Sequence, residues 1–307
     1  MGHAMKNSKV TIIAGPCSID ETNQDQLFEI AQIKTSGTDT RRAVWGVRVV
    51  GLKSRTSRNE TGAGMGIDFH VYTENLERYM RGESQEQYKL FPSIHLAHRL
   101  VKETGVVIGT EIVDPLLQLP LYEKVIPNGK LFAWNPSVNQ LGYQTLAMSK
   151  YVARNNWYLG IKNGKWLGDT TDENISTMEK SWSGLINYAE VDAVDISLIH
   201  RGVDVSGKGN YRNLPVHSIA QRIKQNFSAK LFFDPSHSFG PLLKHKIVDE
   251  TIAALRMVTD AGDYLYDGLL IEVGESVTDT EQHIPIKEFQ RLCNEISVFR
   301  QLQSPET

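Results

Sequence analysis

Cysteine is scarce in this sequence: Cys17 and Cys293 are the two among 307 residues. Two thiols cannot build a disulfide framework, which excludes the small stapled secreted scaffolds and fits a reducing, cytoplasmic setting. Long apolar runs are missing too. None approaches the ~20 residues that a membrane span needs. The opening MGHAMKNSK has no apolar core of a signal peptide; MGHAM reads as an expression-vector remnant, and residues 1–9 are expected to be disordered or vector-derived. Charge of one sign is not in excess: the net charge of -3 gives no broad footprint for nucleic acid. There is no internal repeat and no low-complexity tract. A Gly-rich phosphate fingerprint does not follow the first apolar run, where the chain reads AGPCS.

What is present is a series of short apolar, β-branched runs: VTIIAG (10–15), VWGVRVVG (44–51), GVVIGTEIV (105–113), KLFAW (130–134), WYLGIK (157–162), AVDISLIH (193–200), AKLFF (229–233) and YDGLLIEV (266–273). Continuous apolar runs of this length suit parallel strands buried on both faces. Amphipathic stretches lie between them, among them 25–34, 93–103 and 214–227. Eight strands alternating with helices predict a (β/α)8 TIM barrel, with an open doubly wound sheet as the alternative. The barrel is expected to occupy residues 10–303 as one catalytic unit, leaving no room for a separate regulatory domain. A long polar, Gly-bearing connection, residues 57–91, is expected after the second strand, where loops of such length are usually functional.

Active sites of such barrels sit at the C-terminal ends of the strands. The residues found there are Cys17; Arg48, Lys53, Arg55 and Thr56; Glu111 and Asp114; Asn135 and Ser137; Lys162 and Asn163; His200 and Arg201; Asp234 and His237; then Glu272, with Asp279 shortly after. Two chemical subsets stand out. Cys17, His237, Glu272 and Asp279 offer a thiolate, an imidazole and two carboxylates, a mixed set for a borderline divalent metal such as Mn²⁺, Fe²⁺, Co²⁺ or Zn²⁺. Arg48, Lys53, Arg55, Lys162 and Arg201 form a cationic set suited to phosphates and carboxylates. Each residue also has a plainer reading: Cys17 as a small buried hydrophobe, His237 as a satisfied loop histidine, His200 as a packing or capping residue, the carboxylates as solvated loop acids. Position alone points to an anionic substrate, with metal assistance as an option.

The strings AGPCSI, RVVGLKSRT, GTEIVD, LGIKNG, HRG, DPSH and GLLIEV occur in the order seen in 3-deoxy-D-arabino-heptulosonate 7-phosphate (DAHP) synthases. These belong to one superfamily with 3-deoxy-D-manno-octulosonate 8-phosphate (KDO8P) synthases, and the resemblance runs from residue 10 to about 290. It implies a metal-dependent condensation of phosphoenolpyruvate with an aldose phosphate, erythrose 4-phosphate on the DAHP side, at the first step of aromatic amino acid biosynthesis. It implies metal ligation by Cys17, His237, Glu272 and Asp279. It implies phosphoenolpyruvate contacts from Arg48, Lys53, Lys162 and Arg201, and aldose phosphate contacts from Lys53, Ser54, Arg55 and Thr56. Within that scheme Lys162, His237 and Lys53 are the catalytic candidates, and Glu111, Asn135 and Asp234 complete the substrate-binding set. A cytoplasmic homodimer or homotetramer, with no nucleic-acid or membrane partner, is the expected setting.

Two departures from the family pattern are visible. Ser54 replaces the usual Pro of the KPRT segment. The segment FAWNPS stands where the family has Gly-Ala-Arg, so that Asn135 is read at the position of a phosphate-binding Arg; a lost charge-assisted contact of that kind costs roughly 1.5–3 kcal/mol. A KDO8P-synthase-like enzyme using another aldose, and a catalytically weak ligand-binding homologue, are therefore the alternatives. The ARN at 153–155 and Asp267 are rejected as site residues because both belong at the opposite end of the barrel.

Overall fold

The apolar runs become β1 (Lys9–Gly15), β2 (Gly46–Arg48), β3 (Val107–Glu111), β4 (Leu131–Trp134), β5 (Tyr158–Lys162), β6 (Ile196–His200), β7 (Lys230–Phe233) and β8 (Gly268–Glu272). The computed structural model describes residues 8–35, 42–53, 66–164, 177–189, 196–276 and 280–305. The strands pair in parallel and in chain order, and β1 closes the ring by bonding to both β8 and β2. This is the (β/α)8 barrel read from the sequence; the open doubly wound sheet is excluded because β1 and β2 are not edges. Only Gly46–Arg48 of the expected 44–51 run stays in the ladder. Beyond it the Val50 carbonyl turns to accept the Ile19 N–H at 2.8 Å.

Ten helices are described: α1 (Gln24–Ala31), α2 (Phe69–Met80), α3 (Pro92–Thr104), α4 (Pro115–Glu123), α5 (Gly142–Arg154), α6 (Thr177–Tyr188), α7 (His217–Phe227), α8 (Pro235–Phe239), α9 (Ile247–Arg256) and α10 (Ile286–Ser297). Their apolar stripes cover the outer faces of the strands. In α10 the stripe is Phe289, Leu292, Cys293 and Ile296, at the 3–4 residue spacing of one helix face. Cys293 is thus a core side chain, and burial pushes its thiol well above the usual range. α3 starts with Pro92 in its first turn and stops at Gly105, whose φ of 70° is a left-handed cap. None of the described helices is long and apolar enough to cross a membrane.

Two elements differ from expectation. The connection expected over 57–91 contains α2 and a 3-10 turn, Gln85–Gln87. α2 escaped notice because its buried face carries a polar residue: the Asn75 amide bonds both the Lys89 N–H and the Lys89 carbonyl, at 3.0 and 2.8 Å. A ninth strand, β9 (Gln301–Leu302), runs parallel to the start of β1. Arg300 locks that end of the barrel by donating to the carbonyls of Lys9 and Tyr266 at 2.9 and 2.6 Å.

The barrel interior is filled by side chains, among them Ile13, Phe132, Trp134, Ile199, Phe232 and Leu270. The bulk of the aromatic rings is matched by glycine on neighbouring strands. A Cβ on Gly160 would come within 2.7–2.9 Å of Phe132, Trp134 and Ile199, closer than carbon atoms pack. Phe132 and Phe232 stack across the axis with centroids 5.6 Å apart.

Asp68 fastens the exit from β2. Its carboxylate accepts the Ser93 N–H at 2.9 Å and the Ser93 hydroxyl at 2.5 Å, while its own N–H donates to the Gly51 carbonyl at 2.9 Å. Burial outweighs those bonds and raises the Asp68 carboxyl to about 6. An acid raised above its unfolded value costs stability once pH exceeds the folded pKa, and the cost fades as pH falls towards the unfolded value. Asp68→Asn mimics the protonated acid. It is expected to be more stable than wild type at pH 7.5, by on the order of 2–3 kcal/mol, with the gain gone near pH 4; paired urea titrations at the two pH values check this. A gain independent of pH would mean that ionisation of Asp68 is not the cause.

Candidate active site at the barrel mouth

β1 delivers Cys17 through a Gly-Pro turn. At Gly15 a Cβ would lie 2.9 Å from the Arg48 carbonyl oxygen and 3.0 Å from the Arg48 Cβ, so only glycine lets β1 approach β2 this closely. Cys17 and Arg48 therefore emerge side by side, both buried. One Arg48 Nη donates to Glu272 Oε1 at 3.2 Å, while Nε and the other Nη are buried without a hydrogen-bond partner. Groups of that kind are suited to an anion gripped through two oxygens.

Lys162, at the end of β5, is 2 % exposed and donates to Asp234 Oδ2 at 3.2 Å. Burial lowers its ammonium from the ordinary lysine value, against the pull of Asp234 and Glu111. Lys53 behaves oppositely: burial opposes its charge, but the negative charges of Cys17, Glu111 and Glu272 hold it above the usual range. Burial also opposes the charge of Glu111, and the cations Lys53, Lys162 and Arg48 outweigh it, leaving that carboxyl below its ordinary value. The site is thus a mesh of opposite charges, each kept ionised by the others. Trp134 forms its floor. It is fully buried, and Arg48 and Lys162 each lie 5.6 Å from its ring centroid, within cation–π range.

Two asparagines set the heights of the cations. Asn135 accepts the Lys162 N–H at 2.7 Å and donates to the Lys162 carbonyl at 3.1 Å. Asn163 repeats the device one strand on, accepting the Arg201 N–H at 2.8 Å and donating to the Gly202 carbonyl at 3.0 Å. The Asn135 amide is spent on backbone, so this residue positions Lys162. Arg201 is buried and donates to the Asn213 side chain at 3.3 Å.

Asp234 caps α8, accepting the His237 N–H at 3.2 Å, and faces His237 Nδ1 at 2.9–3.0 Å. Burial lowers His237 to about 4 against the pull of Asp234 and Glu272, so the ring is neutral at pH 7. Its Nδ1–H then donates to Asp234, and the Nε2 lone pair faces Glu272 Oε1 at 3.6 Å. That is the tautomer arrangement of a metal-ligating histidine held by a carboxylate. Burial opposes the charge of Glu272, yet the Arg48 guanidinium beside it helps hold its carboxyl far below the ordinary range.

His283 is a site residue that the strand-end reading of the sequence missed. Cys17, Glu272 and His283 offer ligand atoms that all lie within 4.8 Å of one another, and all three are buried. The return of the chain along β8 brings His283 there: Ile284 bridges Val273 in parallel, and the Ile284 N–H donates to the Glu272 carbonyl at 3.2 Å. Asp279, Ser54, Arg55 and Thr56 lie outside the described residues. His200 is packed away from the site. Its Nε2 accepts the Val216 N–H at 3.3 Å, and its Nδ1 meets the Tyr266 hydroxyl at 2.8 Å. Asp267 opens β8, with its carboxylate on the Leu231 N–H at 2.8 Å, and Arg154 ends α5 paired with Glu123; neither is near the mouth.

Asn135→Ala leaves the buried Lys162 N–H unpaired and its carbonyl with the Gln140 amide alone, and is expected to lower stability by about 1–3 kcal/mol. Asn135→Asp, which keeps only the acceptor, is expected to cost no less. Chemical denaturation measures both, and unchanged midpoints would show that the clamp is dispensable.

No curated protein sequence matches this chain. Among solved structures, a crystal structure of phospho-2-dehydro-3-deoxyheptonate aldolase (DAHP synthase) from Thermotoga maritima is similar with a TM-score of 0.67 at 17% identity, over 97% of this chain and 72% of that one. A truncated form of 3-deoxy-D-arabino-heptulosonate 7-phosphate synthase from the same organism is similar with a TM-score of 0.64 at 16% identity, over 97% of this chain and 91% of that one. At these identities the likeness speaks for the fold. The model of the DAHP synthetase I family matches residues 3–302, nearly the whole length, and the chain belongs to that family.

Proposed function

We propose that this barrel condenses phosphoenolpyruvate with an aldose phosphate, erythrose 4-phosphate as the preferred acceptor, releasing inorganic phosphate. One observation supports this above the others: buried cations at the ends of β2, β5 and β6 converge on the buried Cys17–Glu272–His283 cluster, with His237 Nε2 3.6 Å from Glu272, at the mouth of a barrel of this family. That donor set fits a divalent metal of the Mn²⁺, Fe²⁺, Co²⁺ or Zn²⁺ class, because it mixes sulfur, nitrogen and oxygen ligands. Cys17, His237 and Glu272 would hold it, with Asp279 as a further donor, and it would polarise the aldehyde carbonyl as a Lewis acid.

The chain's own residues do the remaining work. Arg48, Lys53 and Arg201 bind the carboxylate and phosphate of phosphoenolpyruvate and set its C3 against the aldehyde carbon. C3 attacks, C2 becomes cationic, and water adds to it. The phosphate then leaves with its bridging oxygen as the C2–O bond breaks. Lys162, whose proton burial has loosened, donates to the oxygen that gains negative charge, while Asp234 keeps it in place. Fixed charges in a buried mouth supply proximity and electrostatic stabilisation without reorganisation.

The test is a coupled assay of metal-loaded protein with phosphoenolpyruvate and erythrose 4-phosphate. Phosphate release that requires both substrates and stops with chelator is expected. Cys17→Ala is expected to remove it, and activity of that variant in chelator would sink the metal assignment. Lys162→Gln is expected to lower kcat by about 10²-fold or more, the range of a lost proton donor. Binding of phosphoenolpyruvate with no turnover on any of a panel of aldoses would leave a ligand-binding homologue as the function.

A further inference from the structure

We propose that His283 is itself a ligand of the metal, adding a second imidazole to the thiolate, imidazole and carboxylate donors read above. The inference rests on the metal-dependent reading above and adds a donor to it.

Three observations carry it. First, Glu272 sits between two histidines. Its Oε1 is 3.6 Å from His237 Nε2 and its Oε2 is 3.5 Å from His283 Nε2. Both separations exceed ordinary N–H···O hydrogen bonds. Each imidazole thus faces its own oxygen of the Glu272 carboxylate, close enough for either pair to share an ion. Second, the Cys17 N–H points at His283 Nε2 at 3.2 Å. A donor there requires a lone pair on Nε2, which puts the ring proton on Nδ1. Nε2 is thus presented unprotonated between Cys17 and Glu272, as a metal requires of a histidine. Third, His283 is 2 % exposed, and its ligand atom lies with those of Cys17 and Glu272 in a buried cluster whose members are all within 4.8 Å of one another.

The surroundings serve the same arrangement. Gln282 donates its side-chain amide to Glu272 Oε2 and accepts from Arg212 through its carbonyl oxygen. Ser236 Oγ accepts the Glu272 N–H at 2.9 Å. Gln282 therefore holds the carboxylate, and Ser236 the main chain of Glu272, from outside the cluster, as outer partners of metal ligands commonly do. With two imidazoles and a thiolate the donors favour Co²⁺ and Zn²⁺ over Mn²⁺, which prefers oxygen.

Cobalt substitution tests this without relying on turnover. Metal-free wild type, Cys17→Ser, His283→Ala and His283→Gln are titrated with Co²⁺ and followed by absorption. The glutamine variant keeps an acceptor for the Cys17 N–H, so it decides the question if the alanine variant does not fold. Expected for wild type is a thiolate-to-cobalt charge-transfer band that Cys17→Ser abolishes. Expected for both His283 variants is a changed visible d–d spectrum with the charge-transfer band retained, and a Co²⁺ Kd at least about 10-fold higher. Cobalt bound by the His283 variants with the wild-type d–d spectrum overturns the inference and leaves the metal reading standing. Failure of wild type to show any Cys17-dependent band overturns both.

Discussion

Charge compensation in a dry barrel mouth governs this structure. Arg48, Lys162, Asp234 and Glu272 are almost fully buried, and an isolated charge in such a place costs several kcal/mol even after relaxation. The chain solves this by pairing each with an opposite partner: Arg48 with Glu272, and Lys162 with Asp234. The Arg48–Glu272 pair is not closed. Arg48 keeps unpaired N–H groups, and the Glu272 oxygens face imidazole nitrogens at distances too long for strong hydrogen bonds. The network is neutral enough to fold and open enough to take up an anion and a cation.

Backbone geometry makes this pairing possible. Parallel strands in a closed ring bring their ends to one rim, so residues far apart in sequence meet: Cys17 from β1, Lys162 from β5, Glu272 from β8. The strand-end amides of Asn135 and Asn163 then tie each cation to the strand before it. A cation whose main chain is fixed on both sides loses little freedom when it meets substrate, which is what preorganisation means in energetic terms.

Much of this could be read from residues alone, for definable reasons. The strands were legible because burial on both faces leaves no polar alternation, as in GLLIEV and GTEIV. The placement of Arg48, Lys162, Asp234 and Glu272 at the barrel mouth was legible because a strand end carrying or followed by an ionisable residue is a position with a meaning in this fold. α2 was not, since Asn75 occupies the place of an apolar residue on its buried face. Asn135 was legible as a site residue but not in its role, because an amide that bonds backbone and one that bonds phosphate look the same in a string. His283 lies eleven positions beyond Glu272. The parallel bridge between Val273 and Ile284 makes the two neighbours, and no local spacing rule encodes a loop that brings the chain back alongside itself.

The aromatic filling of the barrel has a consequence for traffic. Phe132 and Phe232 stack across the axis, and Trp134 seals the space beneath Arg48 and Lys162. Among the described residues, a reaction chamber built on this plan is closed at its floor. Two substrates that react end to end must then enter in sequence, the deeper one first, and the group lodged against the cations can depart only after whatever lies above it. Order of addition and release becomes a property of the packing, written into the barrel by side chains that never touch the reacting atoms.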